Sequence, residues 1–279
     1  MVIPKTSDLL KLHKLVPNKR LGQNFILDSN ITDKIVRYIP NIDNAVVLEI
    51  GAGPGTLTRS LLTSSAKTIY ALECDPKLIT LLNILQGLYF DRLKIIESDA
   101  LYFLEESIDL CKKITLVGNL PYNISVPLLF KWLCKTHLFD SLTLMFQKEV
   151  ADRITAKPNN KNYGILSVMV QFSCCAFHNF DVNPKVFFPP PKITSSVITL
   201  IPKAIGDYPA HLRSTLKKIC DAAFNQRRKI LYNSLSKMTT YSKLLLDHTG
   251  IDGNLRAENL SVEQFTRLAA AYEKLNLID

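Results

Sequence analysis

The hydrophobic positions of the chain fall into short continuous runs that alternate with segments of helical spacing. Continuous apolar runs are typical of strands that are buried on both faces of a sheet. They predict strands at 46–50, 68–73, 94–98, 114–118 and 141–147. Between these runs, apolar residues recur every three or four positions. This spacing predicts helices at 56–63, 76–86, 101–110 and 124–135. The alternation indicates an α/β fold with a mostly parallel sheet and crossover helices.

The pattern changes on both sides of this alternation. Asp28 or Ser29 can cap a helix over 30–39 before the first strand of the sheet. A short helix over 165–175 and an antiparallel pair of strands follow the sheet, and the pair is predicted at 176–182 and 193–201. Between the two strands, 186–192 is predicted to be a stiff, proline-rich loop that displays two aromatic rings.

The end of the chain indicates a second domain. Residues 203–209 have the composition of a linker, and no strand pattern follows from 210 onward. We therefore expect one domain over 1–205, which includes a basic N-terminal arm, and an all-helical domain over 206–279.

A glycine-rich turn follows the first predicted strand of the sheet. Gly51, Gly53 and Gly55 allow a tight turn and a close approach of the backbone to a ligand. Their spacing is G-x-G-x-G, with Pro54 between the last two, whereas a dinucleotide site uses G-x-G-x-x-G. The turn therefore argues against a nicotinamide dehydrogenase. An ordinary tight connection between a strand and a helix is the structural alternative.

Polar residues end the strands that come next. Glu73, Asp99 and Asn119 each stand at or just after the end of a predicted strand, and Glu73 comes about 20 residues after the turn, where an acid that binds ribose is expected. The carboxyl ends of parallel strands meet at one edge of a sheet, where such sheets bind ligands. The sequence therefore predicts a nucleotide-like site at this edge.

The stretch Asn119-Leu120-Pro121-Tyr122 suits methyl transfer to an exocyclic amine of adenine. The lone pair of that amine is delocalised into the ring, so the nitrogen is a poor nucleophile. The side-chain oxygen of Asn119 and the backbone carbonyl of Leu120 can accept hydrogen bonds from its two N–H groups, which frees the lone pair. Tyr122 can stack on the base, and Pro121 fixes the turn. Catalysis would then rest on positioning and electrostatics. A plain turn after a strand is the structural alternative.

Charge and cysteine content narrow the class of protein. The 279 residues carry a net charge of +9, which favours a polyanionic partner. The six cysteines form no C-x-x-C pair, so we expect reduced thiols, a cytoplasmic location and no metal site. The N-terminus lacks the apolar core of a signal peptide, and a transit peptide is a weaker alternative. No stretch is apolar enough to predict a membrane span.

A concentrated basic segment lies in the predicted helical domain. Between 210 and 237 there are seven Lys and Arg residues against one Asp, and Arg227, Arg228 and Lys229 are consecutive. One-signed charge of this kind favours contact with phosphates, and a solvated helix face is the alternative.

Seven motifs together resemble a known family, the small-subunit ribosomal RNA adenine N6,N6-dimethyltransferases. The motifs are spread over nearly the whole chain: GQNF at 22–25, EIGAGPG at 49–55, NLPY at 119–122, QKEV at 147–150, YGILSV at 163–168, FFPPP at 187–191 and FNQRRK at 224–229. The resemblance implies the class I fold of methyltransferases that use S-adenosylmethionine (AdoMet), with a helical C-terminal domain. It also implies dimethylation of two adjacent adenines in the 3′-terminal hairpin of 16S rRNA, in the small subunit or its precursor. We further expect the protein to act as a monomer.

The resemblance also assigns roles to single residues. It places the AdoMet contacts at Asn24, Ile26, Gly51, Glu73, Asp99 and Asn119. Glu73 is expected to bind the ribose hydroxyls, Asp99 the adenine amine of the cofactor, and the glycine turn its methionine end. Phe187 matches the aromatic residue that sandwiches the target base against Tyr122. Ile26 stands where the family more often has leucine, a change that a backbone contact would tolerate.

Two other classes of function remain open at this point. A non-catalytic nucleic-acid-binding or assembly factor could keep the same fold, although an intact Asn119-Leu120-Pro121-Tyr122 stretch favours catalysis. A nicotinamide dehydrogenase is disfavoured by the glycine spacing and by the lack of a hydride-transfer site. Binding of AdoMet or NADH separates the dehydrogenase from the other two, and a methyl-transfer assay separates those from each other.

Overall fold

A computed structural model describes residues 4–108, 113–204 and 211–275 of the chain. It contains nine strands within this range. They are β1 (Phe25–Ile26), β2 (Val46–Ile50), β3 (Thr68–Glu73), β4 (Leu93–Glu97), β5 (Ile114–Asn119), β6 (Phe139–Gln147), β7 (Cys174–Val182), β8 (Phe187–Phe188) and β9 (Ser195–Pro202). All five strands predicted from continuous apolar runs are present, and their ends shift by at most two residues.

Seven of the strands form one sheet in the order β4-β3-β2-β5-β6-β9-β7. Strands β2 to β6 pair in parallel, and β9 pairs antiparallel with β6. The predicted mixed, mostly parallel sheet is therefore confirmed. Strand β2 lies inside the sheet between β3 and β5, and Val47, Leu48 and Ile50 on it are almost fully buried. Such burial is typical of parallel sheets, because helices cover both of their faces.

Eleven α-helices lie in the described residues. They are α1 (Thr6–Leu12), α2 (Ser29–Arg37), α3 (Thr56–Leu62), α4 (Pro76–Leu88), α5 (Tyr122–Leu133), α6 (Lys148–Thr155), α7 (Ile165–Ser173), α8 (Leu212–Phe224), α9 (Leu231–Leu235), α10 (Ser242–Thr249) and α11 (Val262–Lys274). Asp28 caps α2, as the sequence suggested, by accepting a hydrogen bond from the backbone N–H of Asn30. Within the described residues, no helix has both the length and the apolarity needed to cross a membrane.

The predicted helix over 101–110 is wrong for the residues that can be examined. Positions 101–108 form turns and a short 3-10 helix at Glu105–Ser107, and 109–110 lie outside the described residues. The ammonium group of Lys131 on α5 donates hydrogen bonds to the carbonyls of Ala100 and Phe103. These carbonyls are then engaged by a side chain from elsewhere in the unit, so the segment is fixed as a turn beside Asp99.

Two compact units divide the chain. The first consists of Met1–Ala151 and Phe177–Pro202, and the second of Asp152–Ala176 and Lys203–Asp279. This division differs from the predicted domains 1–205 and 206–279, because 152–176 packs with the C-terminal helices. Within the second unit, the Phe224 ring lies 6.1 Å from that of Tyr163 and 5.4 Å from that of Phe265, centroid to centroid.

The segment after β7 also differs from its prediction. Phe187 and Phe188 form a short strand rather than a loop, and this strand pairs antiparallel with β1. Only Phe188 is displayed, with 46% of its surface exposed, whereas Phe187 is 4% exposed and belongs to the core. Most of the predicted linker, 205–209, lies outside the described residues.

Candidate active site

A cleft opens where β2, β3, β4 and β5 reach the edge of the sheet in the first unit. Its volume is about 920 Å³, including the part that is open to solvent. The residues predicted for AdoMet and for the target amine, except Phe187, all line it: Asn24, Ile26, Gly51, Glu73, Asp99, Asn119, Leu120, Pro121 and Tyr122. The structure therefore brings together residues that are up to 98 positions apart in the sequence.

The glycine turn is held in place by Glu73. The backbone N–H of Gly53 donates to Oε2 of Glu73 at 2.8 Å, and the N–H groups of Cys74 and Asp75 donate to Oε1 at 2.9 Å. Burial raises the pKa of this carboxyl, and the three backbone donors oppose that shift. Glu73 thus fixes the turn in addition to lining the cleft, a second function that the strand-end pattern did not reveal.

All three glycines of the turn, Gly51, Gly53 and Gly55, have positive φ angles, a backbone conformation that favours glycine. Gly51 has φ of +67°, and a Cβ atom placed on it would face open space on the cleft side. Gly55 has φ of +83°, and a Cβ there would lie 2.8 Å from Cδ1 of Leu85 on α4. Gly51 therefore leaves its side of the cleft open, and Gly55 allows α3 to pack against α4.

Glu49 is a cleft residue that the sequence analysis did not single out. It is 1% exposed on β2, and the hydroxyl of Thr58 donates to its Oε2 at 2.6 Å. Burial raises the pKa of Glu49 to about 8, with a smaller contribution from the negative charge of Glu73. A strand-interior position gave no signal for it, because a buried carboxylate there is visible only once its surroundings are known.

Asp99 lies two residues after β4, the first strand in the sheet order, and the glycine turn follows β2, two strands away. Its Oδ1 accepts a hydrogen bond from the N–H of Leu101 at 2.8 Å, which orients the carboxylate. The backbone N–H groups of Tyr102 and Phe103 donate to its carbonyl. Asp99 is exposed and has a second oxygen with which to accept a hydrogen bond from an amine.

Asn119 is oriented by the segment that precedes β1. Its Nδ2 donates to the carbonyl of Asn24 at 3.0 Å. With the amide held in this way, Oδ1 is the atom that remains to accept a hydrogen bond. A side chain whose oxygen is turned to the cleft is what the predicted contact with an exocyclic amine requires.

Tyr122 is held by a strand that is distant in the sequence. Its hydroxyl and that of Ser195 on β9 lie 2.5 Å apart, and Ser195 is fully buried. Burial raises the pKa of Tyr122, and the hydrogen bond with Ser195 opposes that shift. Because one end of the ring is anchored, its position at the cleft is fixed by the fold.

Phe187 does not line the cleft. Its backbone partner in the short two-stranded sheet is Ile26, which does line the cleft, so the two residues are neighbours across that sheet. Its ring is buried in the core cluster that also contains Ile26 and Ala52. Its predicted role, stacking on the target base, stays a prediction.

The basic stretch of the second unit follows the end of α8. Arg227, Arg228 and Lys229 are all exposed. Arg227 donates from Nη2 to the carbonyl of Lys161 at 2.6 Å and lies 3.3 Å from Oε2 of Glu258. Arg227 is thus tied to its own unit, and Arg228 and Lys229 extend the positive charge of the same turn.

The residues of the cleft fit AdoMet. Oγ1 of Thr56 is buried without a hydrogen-bond partner, and Thr56 lines the cleft at the start of α3. Two carboxylates of the cleft can accept hydrogen bonds from hydroxyl and amine donors: Glu73 ends β3, and Asp99 lies two residues after the neighbouring strand β4. A ligand with polar groups at several positions along its length matches this set of donors and acceptors.

Comparison with known families and curated proteins gives one consistent result. The family model described as ribosomal RNA adenine dimethylase matches residues 15–274. Ribosomal RNA small subunit methyltransferase A of Wolbachia sp. subsp. Drosophila simulans is 48% identical over 270 residues, which cover 95% of this chain and 97% of that protein. The protein of the same name from Xanthobacter autotrophicus is 42% identical and covers 98% of this chain and 95% of its own length.

Solved structures show the same likeness. A dimethyladenosine transferase from Plasmodium falciparum superposes with a TM-score of 0.78 at 28% identity, and the match covers 90% of this chain and 98% of the other. The 23S rRNA methyltransferase ErmE superposes with a TM-score of 0.69 at 22% identity, over 90% of this chain and all of the other. The predicted class I methyltransferase fold is confirmed.

Proposed function

The chain belongs to the ribosomal RNA adenine dimethylase family, and from this premise we propose that it dimethylates N6 of two adjacent adenines in the 3′-terminal hairpin of 16S rRNA. As a family member it is an AdoMet-dependent rRNA adenine dimethyltransferase. The small subunit is favoured because near-full-length relatives at 42–48% identity carry that subunit in their names. The observation that carries the proposal is the oriented amide of Asn119 at the mouth of the cofactor cleft.

The cleft divides into a cofactor part and an amine part. Bound AdoMet would supply a methyl group to a nucleophile and leave as S-adenosylhomocysteine. Glu73, Asp99 and the glycine turn would hold that cofactor, with Asn24 and Ile26 covering it. These residues line the cleft together with Asn119, so the amine part directly adjoins the cofactor part.

Asn119 and its neighbours would act on the target adenine. Oδ1 of Asn119 and the carbonyl of Leu120 would accept hydrogen bonds from the two N–H groups of the exocyclic amine, which would free its lone pair for attack. Tyr122, fixed by Ser195, stacks on the base. The amine loses a proton readily once it is alkylated, so no strong base is needed. Phe187 would complete the stack if its ring turned out of the core.

The partner and its place in the cell follow from the same proposal. Arg227, Arg228 and Lys229 are proposed to contact rRNA phosphates of the small subunit or its precursor, consistent with the net charge of +9. The substrate is then a cytoplasmic ribosomal particle. We propose that the enzyme acts on it as a monomer.

Mass analysis of methylated particles tests the proposal. Purified protein is incubated with methyl-labelled AdoMet and with small subunits that lack the modification, and the rRNA is digested and sequenced by mass spectrometry. We expect N6,N6-dimethyladenosine at two adjacent positions of the 3′-terminal hairpin. The Asn119→Ala variant and parallel samples of large subunits serve as controls. Label on 23S rRNA, or label at a single unrelated adenine, would contradict the proposal.

A further inference from the structure

A short cationic turn lies at the edge of the cleft. Lys19–Leu21 form one turn of 3-10 helix, which Asn18 caps by accepting a hydrogen bond from the N–H of Arg20 at 3.0 Å. Gly22 ends the turn with φ of +65°. Asn18 is bonded in turn to the Gln23 side chain, since its N–H donates to Oε1 of Gln23 at 2.7 Å. The turn is therefore a defined structure and not a loose part of the basic arm.

The cationic turn is joined to both parts of the cleft. Nε2 of Gln23 donates to Oδ2 of Asp75, two residues after Glu73, at 3.0 Å. The carbonyl of Asn24 accepts from Asn119. These two contacts lie on the cofactor side and the amine side respectively, so the segment after the turn spans the cleft.

Gly22 places the turn directly against the catalytic stretch. A Cβ atom added to Gly22 would lie 2.9 Å from Oδ1 of Asn123 and 3.5 Å from Cβ of Pro121. Leu21 and Gly22 also line the cleft. Lys19 and Arg20 are thus only one or two residues from the cleft wall, on the side of the Asn119-Leu120-Pro121-Tyr122 stretch.

The two cations of this turn have no anionic partner among the described residues of the first unit. Both are exposed, and neither side chain makes a hydrogen bond or an ion pair in the part of the chain that the structure describes. Their charge is therefore available to a ligand that approaches the mouth of the cleft.

We propose that Lys19 and Arg20 bind the backbone phosphates next to the target adenine and so position the base that enters the cleft. This inference rests on the proposed function. An enzyme that modifies a base must take it out of the stack, which brings the phosphates on both sides of that nucleotide to the mouth of the pocket. Contacts to phosphates fix register and orientation and carry no sequence information. Lys19 and Arg20 are positioning residues in this scheme, and Asn119 remains the residue that contacts the amine.

The test compares two pairs of substitutions on the same arm. Lys19→Gln with Arg20→Gln removes the two charges at the mouth, and Lys11→Gln with Lys14→Gln removes two exposed charges that do not line the cleft. Binding to small subunits that lack the modification is measured at several salt concentrations. For the Lys19/Arg20 variant, the slope of log affinity against log salt should decrease by about 1.4–1.8, from roughly 0.7–0.9 per phosphate contact. The Lys11/Lys14 variant should keep the parent slope.

Two further measurements separate positioning from folding. AdoMet affinity by calorimetry should stay within about twofold of the parent in the Lys19/Arg20 variant, because the bonds that cap and anchor the turn use the side chains of Asn18, Gln23 and Asp75, none of which is substituted. A charge-retaining variant, Lys19→Arg with Arg20→Lys, should recover most of the salt slope.

Three results would overturn the inference: parent-like slopes in the Lys19/Arg20 variant, equal losses in both pairs, or no recovery by the charge-retaining variant. Failure of the proposed function is distinct, because it would appear as a parent enzyme that methylates no small subunit.

Discussion

The cofactor cleft and the basic stretch after α8 hold their side chains in different ways. In the cleft, Glu73 accepts three backbone hydrogen bonds, Asn119 is tied to Asn24, and Tyr122 is tied to Ser195. In the basic stretch, Arg227 is the one of the three consecutive cations that has a side-chain partner among the described residues, and Arg228 and Lys229 are exposed.

This difference corresponds to two kinds of recognition. Methyl transfer needs an amide oxygen at a fixed position, since misplacing a reacting group slows the reaction steeply. Binding of phosphates depends on charge and tolerates adjustment of long side chains. The cleft should therefore respond to substitutions through turnover and cofactor affinity, and the basic stretch through the salt dependence of RNA binding. Four predictions test this distinction, from the largest expected effect to the smallest.

Phe187 tests whether a residue assigned to the cleft acts as part of the core. Phe187→Ala should lower the free energy of unfolding by about 3–5 kcal/mol, because its ring is 4% exposed in the core cluster. Urea unfolding can be followed by the fluorescence of Trp132, which is the only tryptophan and is fully buried in the first unit. Phe188→Ala, with a half-exposed ring, is the control and should cost much less. Normal stability with weakened RNA binding would instead support the stacking role.

Asn119 tests the fixed geometry of the amine part. Asn119→Ala should lower turnover by about 100- to 1000-fold, the range for removing one group that stabilises developing charge. AdoMet affinity should fall far less, because the other cofactor contacts remain. Asn123→Ala is the control, because it removes another amide, at the second residue of α5. It should leave turnover within a few-fold of the parent. A loss of turnover that only matches the loss of AdoMet affinity would refute the nucleophile-orienting role.

The sheet and the edge residues were predictable because their signals are local. A continuous apolar run predicts a buried strand, and a polar residue at its carboxyl end lies at the edge of the sheet. This position does not depend on contacts with distant segments. That is why Glu73, Asp99 and Asn119 were predicted and do line one cleft. The order of the strands at the edge then brings the glycine turn next to them.

Contacts between distant segments gave no such signal. Gln23 and Asp75 are 52 positions apart, and Tyr122 and Ser195 are 73 apart, so only the folded chain shows that each pair is bonded. The wrong helix over 101–110 has the same origin, since Lys131 engages carbonyls of that segment from another helix. The unit boundary shifted because the aromatic packing of Tyr163 with Phe224 depends on tertiary structure.

Glu73 tests whether the cofactor part depends on an anchored turn. Glu73→Ala removes an acceptor from the N–H groups of Gly53, Cys74 and Asp75, which should weaken AdoMet binding by about 1–3 kcal/mol. Glu97→Ala is a matched control, because Glu97 pairs with Glu73 in the neighbouring strand but is exposed and does not line the cleft. Calorimetry on both variants provides the measurement. Equal AdoMet affinities in the Glu73 variant and the parent would show that Glu73 does not contribute to the AdoMet site.

The three cations of the basic stretch should differ in how much each contributes to the salt dependence of RNA binding. Arg228→Ala with Lys229→Ala removes two exposed charges, so the slope of log affinity against log salt for small-subunit particles should decrease by about 1.4–1.8. Arg227→Ala should change the slope by less, because this guanidinium already contacts the carbonyl of Lys161 and the carboxylate of Glu258. AdoMet affinity should be the same in both variants, since the cleft is built from residues of the first unit.

The paired design decides between charge and structure. If Arg227 were as free to bind phosphate as its neighbours, its substitution alone would lower the slope by about 0.7–0.9. If the whole stretch were a solvated surface, all variants would keep the parent slope. A large slope change for Arg228 and Lys229 together with a small one for Arg227 would show that the ion pair with Glu258 sets which of three consecutive cations the RNA can use.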